Sequence, residues 1–403
     1  MSLIVQKYGG SSVADKEKVF NVAKRIVETY KNGNSVVVVV SAQGDTTDDL
    51  IEKAAEISKH PSKREMDMLL STGEQISISL LAMAIHELGY PAVSLTGWQV
   101  GMETDSQYSK SRIKRVEASR IKKELDHNNI VVVAGFQGIN KYEDITTLGR
   151  GGSDTSAVAL AAALHADLCE IYTDVDGVYT ADPRIVKNAK KMDEVSFDEM
   201  LELASLGAGV LHNRSVEMSR KYNVKMCVRN SMNDHEGTIV KEGKKMERMV
   251  VKGVAHDLDV ARIALVNIED EPGAAFKVFS LMAKHNVDVD IILQSIGREN
   301  KKDISFTVKK SSLDVAKKIL EENQDLLGYD EVKVREDVAK VSIVGAGMVN
   351  NPGVAAKMFE ALYDAGINIH MISTSEIKVS VLISSANVEK AVNAIHDKFE
   401  LGK

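Results

Sequence analysis

Cysteine is nearly missing from this 403-residue chain: there are two, Cys169 and Cys227. Both lie inside apolar, strand-like runs and form no C-x-x-C pair, which reads as two buried free thiols. No apolar run approaches the ~18 residues of a membrane span. The N-terminus goes straight into the strand-like run Leu3-Ile4-Val5, with no apolar leader or cleavage site. The expectation is a soluble, cytoplasmic protein with no membrane partner. No block of like charge stands out among 51 basic and 58 acidic side chains, whose balance is −7, so no nucleic-acid partner is expected. The ten histidines show neither H-E-x-x-H nor Cys/His ligand spacing, which argues against a dedicated transition-metal site. The sequence G-x-x-x-x-G-K-[ST] is also missing, so the chain is not a P-loop NTPase.

What is present is length and order. A chain of 403 residues with 44% hydrophobic content fills two or three domains. Over the first 240 residues, short β-branched runs alternate with helical patterns. Val36 to Val40 is five valines in a row, and Ile130 to Val133 is a second continuous run. Uninterrupted apolar strands suit a parallel sheet covered on both faces. Helical patterns are expected at Lys16–Tyr30, Arg64–Leu88, Lys110–Leu125, Thr155–His165 and Phe197–Tyr222. Strand then helix, repeated, predicts an α/β fold: an open, mainly parallel sheet sandwiched by helices.

Small, polar and glycine-rich residues follow each strand. After Ile4-Val5 comes Lys7-Tyr8-Gly9-Gly10-Ser11-Ser12, and after the valines Ser41-Ala42-Gln43-Gly44-Asp45-Thr46-Thr47. Gly135-Phe136-Gln137-Gly138 and Thr173-Asp174 follow two more strands. The carboxyl edge of an open parallel sheet is where ligands bind, and four such loops together predict a site.

Beyond about residue 245 an internal repeat appears at an offset of 80. Pro272-Gly273 matches Pro352-Gly353, Lys277 matches Lys357, Phe279 matches Phe359, and Val287-Asp288-Val289 matches Ile367-Asn368-Ile369. Each copy reads strand, Pro-Gly turn, amphipathic helix, strand. The stretch VGAGMVN from Val344 imitates a dinucleotide fingerprint but places Asn350 where the third glycine belongs, and it falls within the second repeat. It is read as a repeat loop, not a nicotinamide site.

Within the first 240 residues, GRGGSDTSAVALAAAL (Gly149–Leu164) puts an arginine, three glycines and an acid before an unbroken helical run. Ser153 or Asp154 is expected to cap a helix from Thr155, with the Gly151 and Gly152 amides, the helix dipole and the planar Arg150 fork all favouring an anion. KYGGSS supplies a lysine and close backbone amides for phosphates. Glu74, in LLSTGEQ, is an acid within an otherwise apolar stretch, either a helix-surface residue or a partner for a cationic ligand group. YTDVDGVYTADPR (Tyr172–Arg184) is either a long loop or a wall for a nucleotide.

Taken in order, KYGGSS, VVSAQGDTTDDL, LLSTGEQ, GRGGSDTSAVALA and YTDVDGVYTADPR resemble the aspartokinases of the amino-acid-kinase superfamily, and the repeats resemble their paired ferredoxin-like ACT modules. The resemblance covers nearly the whole chain and leaves no room for a fused homoserine dehydrogenase. It implies a catalytic domain over 1–243, a first ACT module over 260–335, and a second built from 246–258 plus 338–403, with Arg248–Asp257 supplying a strand. It implies phosphoryl transfer from MgATP to the side-chain carboxylate of L-aspartate, the first step of lysine, threonine and methionine synthesis. Lys7 would stabilise the transferring group beside the Gly9 and Gly10 amides. Arg150 would grip the substrate's α-carboxylate and Glu74 its α-ammonium. Ser41, Thr47 and Ser153 would line the pocket, and Asp154 would organise Mg²⁺ or the attacking carboxylate. Thr173, Asp174, Tyr179 and Arg184 would hold the nucleotide. An amino-acid effector would sit at an ACT–ACT interface between two chains, near Asp270, Gly273, Ala275, Gln294, Thr374 and Glu376. Lysine is favoured as effector, with threonine or both together as alternatives, and the oligomer is expected to be a dimer or tetramer. A kinase for another acidic metabolite, such as glutamate or N-acetylglutamate, and a non-catalytic amino-acid sensor are the competing readings.

Overall fold

The five-valine run becomes strand β2 (Ser35–Val40), its valines fully buried, lying parallel to β1 (Leu3–Tyr8). The computed structural model describes residues 1–403 apart from 208, 244–249, 296, 298–299 and 349–350. The chain forms two compact units. The first is Met1–Tyr179, Lys191–Ser205 and Gly209–Met246; the second is Thr180–Lys190, Leu206–Ala208 and Glu247–Lys403.

In the first unit β1 and β2 are joined by β3 (Ala92–Leu95), β4 (Ile130–Ala134), β5 (Leu168–Thr173), β6 (Glu194–Ser196), β7 (Met226–Asn230) and β8 (Thr238–Lys241). They make one eight-stranded sheet in the order β6-β8-β7-β5-β1-β2-β4-β3. Every pairing is parallel except β7 with β8. The helices are α1 (Lys16–Lys31), α2 (Thr46–Ile57), α3 (Lys63–Glu87), α4 (Ser119–Asp126), α5 (Gly152–Leu164), α6 (Phe197–Ser205) and α7 (Asn213–Tyr222). Side chains of α1 and α3 cover one sheet face, packing on Tyr8, Val36, Val38, Val40, Ile130, Val132 and Tyr172. Helix α5 is buried almost all round, which is why its sequence is apolar without a polar stripe.

Local readings differ from the structure in four places. Lys110–Leu125 is not one helix: Ile113–Val116 is a strand in a small second sheet, and only α4 is helical. Phe197–Tyr222 is two helices, α6 and α7, separated by a turn in which Gly207 takes φ +97°. Helix α2 has no counterpart among the expected helices, and Thr46 and Thr47, expected in the loop after the valines, form its first turn. By length and composition α3 is apolar enough to cross a membrane, with a mean hydropathy of 1.4 over its most apolar window. Half of that window is buried inside the fold, and the helix carries the buried carboxylates Asp67 and Glu74.

The second unit contains two four-stranded sheets. One runs in the order Val289–Gln294, Lys301–Val308, Ala261–Glu269, Glu331–Arg335, all antiparallel, with helices Ala274–Lys284 and Leu313–Glu322 closing its core. The other runs Gly253–Asp257, Val338–Val344, Lys378–Ser384, Met371–Thr374, covered by Val354–Asp364 and Val388–Lys398. The 80-residue repeat is real in three dimensions: Gly273 and Gly353 cap equivalent helices at φ +100° and +96°, values that favour glycine. Gly253–Asp257 occupies in the second module the edge that Glu331–Arg335, the last strand, occupies in the first. Residues 246–249 of that expected segment, and Val349 and Asn350 of VGAGMVN, lie outside the described residues. Residues 180–190 interrupt the expected catalytic span of 1–243: Ala181 and Val186 are buried in the core of the second unit, beside Val251, Val254 and Ile395.

Candidate active site

Lys7 is the penultimate residue of β1, and strand alternation turns it away from Tyr8, which faces the α1–α3 core. Its Nζ stands 2.7 Å from Oδ1 of Asp154 in the first turn of α5, and both side chains are nearly buried. The contact is an ion pair and not an aligned hydrogen bond, since Asp154 Oδ1 lacks a hydrogen-bond partner. The expected cap at Ser153 or Asp154 is not formed. Helix α5 begins at Gly152, its N-cap is Gly151 at φ +69°, and no side chain caps it. Asp154 is therefore available to Lys7, and the first-turn amides have no acceptor within the helix. The macrodipole adds about half a positive charge at this end. Ser153 lies against Gly135, at the end of β4.

The loops after β1 and β2 touch. Gly10 O accepts the Gly44 N–H at 3.1 Å, and a Cβ at Gly10 would fall 2.5 Å from Ala42 O, so only glycine fits. Gly9 precedes a 3₁₀ turn over Gly10–Val13. The neighbouring loop is held by Glu74, whose Oε1 accepts the Ala42 N–H at 3.1 Å. Its other oxygen, Oε2, is buried without a hydrogen-bond partner. Burial pushes the Glu74 carboxyl up to about 8, against the lowering effect of the Ala42 N–H. A buried carboxyl oxygen with no partner in the protein leaves a place for its own proton, a water or a ligand donor. Half-buried Ser41 and Thr47 flank this loop, Ser41 N–H bonding Tyr8 O at 3.1 Å.

Arg150 is exposed and has no ion-pair partner among the described residues. Two left-handed glycines flank it, Gly149 at φ +77° and Gly151 at φ +69°.

The nucleotide candidates divide. Thr173 ends β5 beside β1, and its carbonyl accepts the Ser231 N–H at 2.9 Å. Ser231 Oγ in turn accepts from Ser12 Oγ at 2.8 Å, tying Thr173 to the glycine loop. Asp174 is exposed. Tyr179 is half-buried and bridges Lys191 through the backbone. Arg184 belongs to the second unit, where its guanidinium grips Asp182 at 2.7 Å.

Of the effector candidates, Asp270, Gly273, Ala275 and Gln294 lie in the first ACT-like module. Asp270 Oδ1 accepts from Lys302 Nζ at 2.7 Å, and its Oδ2 borders Gly297, three residues beyond Gln294. Thr374 ends the strand of the second module that corresponds to Val289–Gln294, at the position matching Gln294, and Glu376 follows it.

Sequence reasoning missed Asp67, Asp176, Arg214 and Ser231. Asp67 carried a signal, standing one heptad before Glu74 and so on the same helix face. Asp176 takes Asn230 and Asn233 amides at 2.7 and 2.8 Å, which together hold its carboxyl below the usual range. Ser231 and Arg214 had no local signature, because their partners are distant in sequence.

Three family models match the chain. The amino acid kinase family matches residues 2–230, and ACT domains match 262–328 and 341–399. An aspartokinase of Bacillus sp. (strain MGA3) is 53% identical over 402 residues, which are 100% of this chain and 98% of that one. The chain belongs to the aspartokinase family.

It is thus an aspartate kinase, a phosphotransferase whose acceptor is a carboxyl group, built as an amino acid kinase domain followed by two ACT domains. Solved aspartokinases share the whole architecture. E. coli aspartokinase III in complex with aspartate and ADP (R-state) superposes with a TM-score of 0.83 at 25% identity, covering 98% of this chain and 99% of that one. The same enzyme in complex with lysine and aspartate (T-state) gives 0.78 at 26% identity, with 98% and 99% covered.

Proposed function

We propose that the Lys7–Asp154 centre transfers the γ-phosphoryl group of ATP to the side-chain carboxylate of L-aspartate, giving 4-phospho-L-aspartate and ADP. Glu74 carries the reading: a buried carboxylate with one open oxygen suits the α-ammonium of an amino acid, a group that an N-acetylated acid lacks. Arg150 takes the α-carboxylate with its planar fork, and Ser41, Thr47 and Ser153 line the pocket. The acceptor is already anionic at neutral pH, so no general base is required. Catalysis reduces to in-line placement and charge neutralisation. Lys7, the Gly9 and Gly10 amides and the N-terminus of α5 supply the neutralisation. Thr173, Asp174 and Tyr179 hold the nucleotide, while Arg184 lies in the second unit and is left out of this site.

Among the described residues no three His, Cys, Asp or Glu side chains cluster to hold a metal by themselves. Mg²⁺ is ordinarily held by one or two carboxylates together with substrate phosphates. Asp154 fits that requirement as the single carboxylate through Oδ2, the oxygen that is not paired with Lys7.

At the ACT modules we assign an amino-acid effector, lysine first, to Asp270, Gly273, Ala275 and Gln294, with Thr374 and Glu376 from the partner module. The lysine complex of the E. coli enzyme supports that choice. Two chains pair through these modules, and the cytoplasmic product feeds lysine, threonine and methionine synthesis. The test is aspartate-dependent acyl phosphate formation from MgATP, trapped as the hydroxamate, with and without millimolar lysine. Turnover with aspartate and suppression by lysine are expected. Equal turnover with glutamate overturns the substrate assignment, and no turnover with either overturns the reaction.

A further inference from the structure

Arg150 follows a loop whose backbone is held by two charged side chains, Asp67 and Arg214. Asp67, on α3, is fully buried. Its two oxygens accept the Ser109 N–H at 3.0 and 2.9 Å, the Thr147 N–H at 2.9 Å and the Thr147 hydroxyl at 2.8 Å. Arg214, in the first turn of α7, donates from Nη1 to Leu148 O at 2.5 Å and from Nη2 to Ser111 O at 2.9 Å. The carboxylate thus takes the N–H groups of segments 109–111 and 147–148, and the guanidinium takes their carbonyls. The segments are also bonded to each other: Ser111 N–H and Ser111 Oγ both reach Thr147 O at 2.9 Å.

Two strained features follow from this clamp. Ser109 is held at φ +68°, a region non-glycine residues rarely enter, with Asp67 as the group gripping its N–H. Gly149 lies so close to Ser109 that a Cβ would stand 3.0 Å from Ser109 O, and a Cβ on Gly151 would strike the His212 ring beside Arg214. The backbone before Arg150 is therefore set by what Asp67 and Arg214 hold, and the backbone after it packs on His212, two residues before Arg214. A buried carboxylate among the described residues with no cationic partner, spent wholly on loop donors, is an expensive device for mere folding. Asp67 also lies seven residues before Glu74, on the same buried face of α3.

We propose that Asp67 and Arg214 are positioning residues for the α-carboxylate of the substrate, acting through Arg150. The proposal rests on the reading of Arg150 given above. Neither residue touches substrate; each fixes the backbone from which the guanidinium of Arg150 projects.

The test compares Asp67→Asn, Arg214→Gln, Arg150→Ala and the double variant Asp67→Asn/Arg150→Ala in the full chain, with KM for L-aspartate, KM for MgATP, kcat and thermal midpoint measured for each. The expected result is a rise in KM for aspartate of about ten- to a hundredfold in all three single variants, with KM for MgATP within about twofold. The double variant should be no worse than Arg150→Ala alone, because Asp67 has nothing to position once Arg150 is gone. Arg150→Ala raising KM for aspartate while neither Asp67→Asn nor Arg214→Gln does so overturns the proposal and spares the reading of Arg150. Additive losses in the double variant, or parallel rises in both KM values with a lowered thermal midpoint, reduce the clamp to a folding element and overturn it too. An unchanged KM in Arg150→Ala removes the reading of Arg150 and the proposal with it.

Discussion

Lys7 Nζ and Asp154 Oδ1 stand 2.7 Å apart, and through them the end of the first strand meets the first turn of a helix 147 positions later. The pair is nearly buried and joins a cation to the positive end of a helix dipole by way of an acid. On the proposed role of Lys7, a phosphoryl group arriving there would find a lysine already oriented, the preorganisation such transfers depend on.

Lys7→Ala should therefore lower kcat by about a hundred- to a thousandfold, a barrier increase of ~2.7–4 kcal/mol. Steady-state hydroxamate assays decide this. A rate within a few-fold of wild type sinks the role of Lys7.

On the proposed role of Glu74 as the ammonium partner, its carboxyl, raised by burial to about 8, should make aspartate affinity pH-dependent. Binding an ammonium requires the carboxylate, so KM for aspartate should fall as pH rises from 6 toward 8, and Glu74→Gln should flatten that slope while raising KM throughout. Stability runs the other way. The native state keeps this proton above the ordinary value of 4.5 whereas the unfolded chain loses it, so the contribution of Glu74 to stability declines as pH rises from 4.5 to about 8. Denaturant titrations of wild type and Glu74→Gln across that window should converge at the acid end and separate at the alkaline end.

Gly73→Ala separates local packing from helix stability. A Cβ at Gly73 would lie 2.8 Å from the Ala42 Cβ, pushing away the loop whose N–H binds Glu74. Alanine is the better helix former, by up to about 1 kcal/mol, so the thermal midpoint should hold within a few degrees. KM for aspartate should nonetheless rise about tenfold. An unchanged KM would mean that the loop after β2 does not shape the substrate pocket.

In the regulatory unit, Asp270→Asn should raise the lysine concentration for half-inhibition by about tenfold, within the usual range of coupling energies. Turnover assays over a lysine series measure it, with threonine run alongside. A half-inhibition point unmoved by the substitution would place the effector elsewhere on the ACT modules.

The sequence by itself determined β1, β2, β4 and β5, their parallel pairing and the loops at their carboxyl ends, because continuous β-branched runs and glycine clusters have few physical solutions. It determined the tandem modules, since Pro-Gly turns at an 80-residue offset demand the same left-handed cap twice. It also singled out Lys7, Glu74, Arg150 and Asp154 by charge in apolar or glycine-rich company. Only the tertiary structure decided what these residues touch. Asp154 is no helix cap, because Gly151 in the left-handed region starts α5 one turn earlier and frees the carboxylate for Lys7. Asp67, Arg214 and Ser231 bond partners 42 to 219 positions away, and no local pattern encodes such a pairing. The helix at Lys110–Leu125 gave way to a strand because Ser111 and Arg112 are taken up by Thr147 and Asp105 in backbone bonds that a helix could not make. Residues 180–190 left the catalytic unit for the same reason: Ala181 and Val186 found their burial in a core assembled from the other end of the chain.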